Sequence, residues 1–250
     1  MKKLQGKVAI VTGASKGIGA AIARYLANEG AAVVVNYASS KKDADRVVDD
    51  VTRGGGRAVA VQANVAKHED IERLFAETKK AFGRLDILVN NAGLYEFAPL
   101  EEITEAHIRK QFDVNVVGVL LASQAAARHF DASGGSIINI GSSATSVTAP
   151  NTAVYTATKA AVEAVTQTLA KELGPRNIRV NAINPGGVET EGVHAAGLMD
   201  NDFAKQLQAQ TPLGGRIGQP QDIAPVAVFL ASADAAWITG EIIRVAGGLR

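Results

Sequence analysis

The chain has 250 residues, of which 47% are hydrophobic, and its 26 basic residues are nearly balanced by 25 acidic ones. This composition predicts a well-buried core, and the lack of a basic surplus argues against nucleic acid as a partner. There is no cysteine, which excludes disulfides and thiolate catalysis and is compatible with a reducing compartment. The first apolar run is too short for a signal peptide and no stretch predicts a membrane span, so we expect a cytoplasmic protein.

Short apolar runs alternate with longer amphipathic stretches along the chain. This pattern is typical of a parallel sheet with helices on both faces, so we predict one α/β domain over residues 1–250 with a doubly wound, seven-stranded parallel sheet. The predicted strands are 8–12, 32–36, 58–62, 86–90, 136–140, 179–184 and 241–245, and the predicted helices 17–28, 41–53, 69–82, 104–130, 152–173 and 221–230. Residues 186–219 show no clear period, and we predict a substrate loop or lid there.

A glycine-rich turn joins the first predicted strand to the first helix. Its spacing is Gly-x3-Gly-x-Gly, which differs from the common G-x-G-x-x-G, and the chain contains no G-x4-G-K-[S/T] phosphate loop. Glycines here allow a pyrophosphate to approach the backbone and the helix N-terminus, so we predict a dinucleotide site. The alternative is a tight turn whose glycines serve packing. The predicted contacts are Gly13, Ser15, Lys16, Gly17, Ile18 and Gly19.

The end of the second strand indicates which dinucleotide binds. An NAD site usually places an acidic residue there for the ribose hydroxyls, whereas this chain has Asn36. Lys16 of the glycine turn can reach the same point, where a 2′-phosphate would be favoured. We therefore predict NADP(H) over NAD(H). The alternative is an ordinary solvated helix start. The predicted contacts at this strand end are Asn36, Tyr37, Ala38 and Ser39.

Tyr155 and Lys159 lie four residues apart in a predicted helix, so they share one face. An ammonium beside a phenol favours the phenolate, and such a pair can act as a proton donor. Tyr37 and Lys41 have the same spacing but belong to the nucleotide end of the chain. Ser142 precedes Tyr155 by 13 residues and follows an apolar strand, which places its hydroxyl at the edge where such sheets bind ligands.

Together these residues resemble the short-chain dehydrogenase/reductase family in its compact, single-domain form, a Rossmann fold. The resemblance covers nearly the whole chain. It is carried by residues 12–19 and 90–93, and by Asn115, Ser142, Tyr155, Lys159, Pro185 and Gly186.

The resemblance implies a role for each catalytic candidate. Tyr155 would donate a proton to a carbonyl oxygen while the nicotinamide delivers hydride to the carbon, or run both steps backward. Ser142 would hold that oxygen. Lys159 would bind the nicotinamide ribose and lower the tyrosine pKa. Asn115 would anchor a water that relays protons, although a lone asparagine on a helix is more often satisfied by backbone.

The resemblance also implies further cofactor contacts. Asn90 would lie near the adenosine ribose, Asn64 and Val65 near the adenine, and Val188 near the nicotinamide carboxamide. Asn64 departs from the aspartate frequent in the family, which removes a charge but keeps an acceptor. The remaining implied contacts are Ala92, Gly93, Pro185 and Gly186.

Several residues extend the predicted site toward the substrate. Tyr95 and Phe97 are candidates for the pocket wall, and His194 for a polar contact. The other histidines lack metal or triad spacing, so no metal is expected. Ser143 is a rival to Ser142, disfavoured by its offset. An apolar lid is indicated by Val193, Leu198, Met199, Phe203 and Leu207, although core packing is the alternative.

These observations predict an NADP(H)-dependent carbonyl reductase or alcohol dehydrogenase acting on a small molecule, with a homotetramer as the family expectation. A 3-oxoacyl thioester reductase and a sugar dehydrogenase remain alternatives. Basic residues that would favour an acyl-carrier partner are few, with Arg128 and Arg176 as candidates. A non-catalytic dinucleotide-binding regulator and a methyltransferase are alternatives of other classes.

Overall fold

The computed structural model describes residues 2–195, 197 and 202–249, without the side chains of residues 202 and 203. Within them the strands are β1 (Val8–Val11), β2 (Ala32–Tyr37), β3 (Arg57–Gln62), β4 (Ile87–Asn90), β5 (Gly135–Ile140), β6 (Ile178–Pro185) and β7 (Ile242–Val245). They form one parallel sheet in the order β3-β2-β1-β4-β5-β6-β7. The predicted fold class is confirmed, and each strand end lies within one residue of its predicted position.

Helices cover both faces of this sheet. They are α1 (Gly17–Asn28), α2 (Lys41–Arg53), α3 (His68–Phe82), α4 (Glu105–Phe112), α5 (Gly118–His129), α6 (Ala144–Val147), α7 (Ala153–Leu173), α8 (Glu191–Ala195), α9 (Asp202–Ala209) and α10 (Pro220–Ala231). The single helix predicted over 104–130 is interrupted by a π-helical segment, Asp113–Val117. Asn115, within this segment, is bonded to the backbone of Leu94 in the loop after β4, a tertiary contact that accompanies the irregular turn.

Two apolar layers hold the helices to the sheet. Side chains alternate between faces along a strand, so Val11 and Val33 enter the layer beneath α1, α2 and α10. Ile10 and Val34 enter the opposite layer, beneath α3, α5 and α7. These strands are fully buried and apolar on both faces, which explains why their sequences are continuous hydrophobic runs.

The strand order reverses beside β1, because the chain returns from β3 to place β4 on the other side of β1. In open parallel sheets this reversal leaves a crevice at the carboxyl ends of the strands, where ligands bind. The described part of residues 186–219 follows β6 and contains α8 and α9, in the segment predicted as a substrate loop or lid. In the described part of the chain, none of the helices has the length and hydropathy needed to cross a membrane.

Candidate active site

A cavity of about 670 Å³ opens at the carboxyl edge of the sheet. Most residues predicted to bind the cofactor line it, together with the predicted catalytic serine, tyrosine and lysine. These are Gly13, Ser15, Lys16, Gly17, Ile18, Gly19, Asn36, Ala38, Ser39, Asn64, Val65, Ala92, Gly93, Ser142, Tyr155, Lys159, Pro185, Gly186 and Val188. The structure therefore brings the glycine turn and the catalytic candidates to one cavity.

Two glycines shape the turn between β1 and α1. Gly17 has φ of +57°, in the left-handed region that favours glycine. A Cβ at Gly19 would lie 2.4 Å from Asn91 Nδ2, since that amide crosses the turn to donate to Thr12 O at 2.8 Å. The turn thus presents bare backbone to the cavity, as a phosphate site requires.

Asn36 borders the cavity, but its amide is bonded to the protein's own backbone. Its Oδ1 accepts from Gly13 N at 3.1 Å, and its Nδ2 donates to Ala63 O at 3.0 Å. The side chain therefore fixes the glycine turn, and a contact of Asn36 with the cofactor stays a prediction. Ser39 and the exposed Lys16 also border the cavity, and none of the described lining residues is acidic.

Two other predicted cofactor contacts are wrong for the side chains concerned. The Tyr37 ring is buried in the layer beneath α1 and α2 and does not line the cavity. The buried Asn90 amide donates to Ser123 Oγ at 3.1 Å and to Asn139 Oδ1 at 2.9 Å. Because side chains alternate between faces along a strand, a position beside the site in sequence can point away from it.

Ser142, Tyr155 and Lys159 meet at the cavity from two elements. Tyr155 and Lys159 lie one turn apart on α7, and Ser142 follows β5. Ser142 acts on Tyr155 as a hydrogen-bonding partner that lowers the tyrosine pKa, and Ser142 Oγ accepts from Ala144 N at 3.1 Å. The neighbouring Ser143 is buried and makes no such bond to the tyrosine in the described structure. The geometry therefore favours Ser142.

Burial governs the ionisation of the tyrosine and the lysine. It lowers the pKa of Lys159 to about 8, and the Lys159 amine donates to Ile140 O at 2.9 Å. It raises the pKa of Tyr155 above its ordinary value, an effect that the Ser142 hydrogen bond partly offsets. Lys159 Nζ lies 5.7 Å from the centre of the Tyr155 ring. The predicted lowering of the tyrosine pKa by Lys159 is thus not found in the protein alone.

Asn115 lies in the π-helical segment, behind the cavity wall. Its Oδ1 accepts from Leu94 N at 2.8 Å, and its Nδ2 donates to Leu94 O at 2.8 Å and to Thr158 Oγ1 at 3.0 Å. The side chain is therefore satisfied by the protein and ties the loop after β4 to α7. A Cβ at Gly93 would lie 3.4 Å from Asn115 Oδ1 and 3.6 Å from Lys159 Nζ, which places Gly93 in contact range of both groups.

A hydrogen-bonded cluster centred on the carboxylate of Glu163 lies behind Ser142, and the sequence analysis did not predict it. Glu163 Oε1 accepts from Thr145 Oγ1 at 2.7 Å and from Asn184 Nδ2 at 2.6 Å. Thr145 Oγ1 also lies 3.1 Å from the Ser142 carbonyl oxygen. Glu163 follows Lys159 by four residues, the spacing that already joins Tyr155 to Lys159, so the helix period was a signal for it.

The far end of the cavity is largely apolar. Tyr95 and Phe97 line it as predicted, and the Phe97 ring stands edge-on to the Tyr155 ring at 5.7 Å between centroids. Thr190, which was not predicted, also borders it. Burial raises the pKa of Tyr95, an effect that Thr190 partly offsets as a hydrogen-bonding partner. The lid residues that line the cavity are Val193, Ala204, Leu207 and Ile217.

Four residues predicted at the lid or the substrate have other outcomes. Leu198 and Met199 lie outside the described residues, as does the side chain of Phe203. His194 is paired with Glu189 at 2.8 Å between Nε2 and Oε1, and it does not line the cavity.

The comparisons with known proteins agree with this geometry. A family model described as enoyl-(acyl carrier protein) reductase matches residues 13–250. An uncharacterized oxidoreductase of Methylorubrum extorquens is 59% identical, with 100% of both chains covered. A hydroxynaphthalene reductase-like protein, Arp2, of Metarhizium majus is 43% identical over 99% of this chain and 96% of its own. The crystal structure of a Burkholderia cenocepacia short-chain dehydrogenase in complex with NADP is 38% identical, with a TM-score of 0.91 and 99% of both chains covered.

The family model spans far more than half of the chain, and both curated relatives exceed 40% identity over nearly its whole length. The sheet order, the glycine turn and the serine, tyrosine and lysine at one cavity are consistent with these matches. The chain belongs to the short-chain dehydrogenase/reductase family and is an oxidoreductase of that family.

Proposed function

We propose that the protein is an NADP(H)-dependent ketoreductase, which reduces an uncharged ketone to a secondary alcohol or catalyses the reverse oxidation. The observation that carries this proposal is that Ser142, Tyr155 and the glycine turn line one cavity, with Ser142 acting on the ionisation of the Tyr155 hydroxyl. Carbonyl reduction needs a proton donor and a dinucleotide-binding site at the same cavity.

The residues of the cavity fit a dinucleotide. A Cβ at Gly17 would meet Thr190 and one at Gly19 would meet Asn91, so both positions keep a bare backbone for a phosphate, and the cavity volume of about 670 Å³ is that of a ligand site. In the described structure the exposed Lys16 makes no ion pair, and no acidic side chain lines the cavity beside Ser39. These features support a 2′-phosphate, and the NADP complex of the Burkholderia relative agrees.

The protein's part in the reaction follows from its own groups. The bound nicotinamide would supply hydride to the carbonyl carbon. Tyr155 holds its proton firmly, because burial raises its pKa, and would donate that proton to the carbonyl oxygen. Ser142 would hold the same oxygen through its hydroxyl. Hydride and proton together balance the change from ketone to alcohol.

Lys159 and Asn115 would support this transfer. With a pKa of about 8, Lys159 is mostly protonated at neutral pH yet gives up a proton readily, which suits a group that resupplies Tyr155. Asn115 fixes the loop after β4 through Leu94. Its further role as the anchor of a relay water remains a prediction.

The apolar far end of the cavity favours a substrate without charge. Tyr95 and Phe97 suit the flat face of an aromatic or cyclic ketone, and the name of the Metarhizium relative supports this class. The description of the family model instead suggests an acyl-carrier substrate. Arg128 and Arg176, the basic candidates for such a carrier, do not line the cavity, and each is bonded elsewhere, to Glu72 and to Ala127 O.

A panel of ketones and alcohols assayed with NADPH and with NADH tests the proposal. We expect turnover of cyclic or aromatic ketones with NADPH and a weaker reaction with NADH. Binding of NADPH without turnover across the panel would support the non-catalytic regulator, and binding of S-adenosylmethionine in place of NADPH would support a methyltransferase. A cytoplasmic homotetramer also remains a prediction, whose assembly light scattering would measure.

A further inference from the structure

Helix α1 begins at the cavity without a capping side chain of its own. Lys16 at the N-cap makes no side-chain hydrogen bond to the first turn, and that turn contains no acidic residue. The first N–H groups of a helix have no partner within the helix and carry partial positive charge. They therefore attract any anion that comes within reach.

Glu191 supplies that anion from the start of α8, next to the cavity residues Thr190 and Gly192 but outside the lining itself. Gly17 N donates to Glu191 Oε2 at 2.9 Å, across 174 residues of sequence. The adjacent Thr190 packs on the same turn, with its Cγ2 3.2 Å from where a Cβ at Gly17 would stand. Glu191 is exposed, is the first residue of α8 and makes no ion pair among the described residues. Its carboxylate is therefore hydrogen-bonded to the glycine turn and has no ion-pair partner among the described residues.

The same N–H groups are those at which the proposed dinucleotide would place its pyrophosphate. Two negative groups at one helix terminus repel each other, and the ligand would compete with Glu191 for the Gly17 donor. We propose that Glu191 weakens the binding of the dinucleotide, whereas a contact residue would strengthen it. Its carboxylate accepts from the Gly17 N–H that the phosphate would use, holds the start of α8 on the glycine turn, and is displaced when the dinucleotide binds. This inference rests on the proposed function.

The inference reverses the usual effect of substitution at a binding site. Loss of a contact residue weakens binding, whereas loss of this competitor strengthens it. Glu191→Gln keeps an oxygen for Gly17 N but removes the charge, and Glu191→Ala removes both. Because α8 begins at Glu191, displacement of its carboxylate also frees the first turn of the lid, which links cofactor binding to lid position.

Fluorescence titration with NADPH and NADP⁺ tests the inference without reference to activity. Both Glu191 variants are expected to bind each nucleotide about three- to tenfold more tightly than the unaltered protein, the net size of one hydrogen bond at an exposed site. Glu189→Gln is the matched control. It removes a carboxylate two residues away that is bonded to Gln219 and His194, and it leaves nucleotide affinity unchanged.

Limited proteolysis supplies a second measurement. Without nucleotide, Glu191→Ala is cleaved in residues 186–219 faster than the unaltered protein, and NADPH removes the difference. Equal or weaker nucleotide binding by both Glu191 variants, in samples with unaltered circular dichroism, overturns the inference and leaves the proposed function standing. Failure of the unaltered protein to bind either nucleotide overturns the proposed function, and the inference with it.

Discussion

Replacement of Lys159 by methionine is expected to stabilise the protein when no nucleotide is present. Burial lowers the pKa of Lys159 from its ordinary 10.5 to about 8, and its side chain is only 6% exposed. At 1.36 kcal/mol per pKa unit, holding this ammonium protonated in the interior at neutral pH costs about 3 kcal/mol of folding free energy. Methionine has a similar length without the charge.

Part of the stability gained by removing the ammonium is lost, because Ile140 O no longer has a hydrogen-bond donor. An unpaired carbonyl costs about 1–2 kcal/mol, so the net gain in the free energy of unfolding is about 1–2 kcal/mol. For a chain of this length we expect Tm to rise by about 2–8 °C. The variant is expected to lose nearly all turnover, since the same lysine serves the proposed proton supply.

The difference in stability between Lys159→Met and the unaltered protein is expected to change with pH. Between the folded pKa of about 8 and the unfolded value of about 10.5, the unfolded chain binds more protons than the folded one. The stability of the unaltered protein relative to Lys159→Met therefore rises with pH in that interval. Urea unfolding at about pH 7 and about pH 10 measures the two differences, with the exposed Lys171→Met as control. A variant that is less stable at pH 7, or a difference that does not change with pH, would refute the reasoning.

Two further predictions concern cofactor choice and the support of Ser142. Lys16→Ala is expected to raise KM for NADPH about 5- to 30-fold, because one charged phosphate contact is lost, and to leave KM for NADH unchanged. The control Lys80→Ala is expected to change neither KM. Equal effects of Lys16→Ala on both nucleotides would contradict the phosphate contact. Glu163→Ala and Thr145→Val are each expected to lower kcat about tenfold with nucleotide affinity unchanged. The kcat of the double variant is expected to equal that of either single variant, since both residues belong to one hydrogen-bonded cluster. Additive losses would show that the two residues act separately.

The fold was predictable from the sequence because its strands are buried on both faces. Continuous apolar runs such as Val8–Val11 are visible without any structure, and the helices between them have clear periods. The π-helical segment was not predictable, since Asp113–Val117 continues the amphipathic pattern of its neighbours. A backbone irregularity of this kind depends on tertiary bonds, here those of Asn115 to Leu94.

The site was predictable where its residues lie in a turn or on a helix face. The positions of Ser142, Tyr155 and Lys159 follow from their offsets and from the edge at which β5 ends. Residues at strand ends were harder to place, because whether Tyr37 or Asn90 points to the cavity depends on strand phase and packing. The role of Glu191 depends on a contact across 174 residues, which no local pattern indicates.

The central claim is that Tyr155 donates the proton in ketone reduction. Tyr155→Phe removes one hydroxyl and keeps the ring that packs against Phe97. The rate of NADPH oxidation with the best ketone of the panel is expected to fall by about 10²- to 10⁴-fold, the usual contribution of a positioned acid, while NADPH affinity and Tm stay close to those of the unaltered protein. A Tyr155→Phe variant that binds NADPH and turns over the ketone at the original rate would contradict the account.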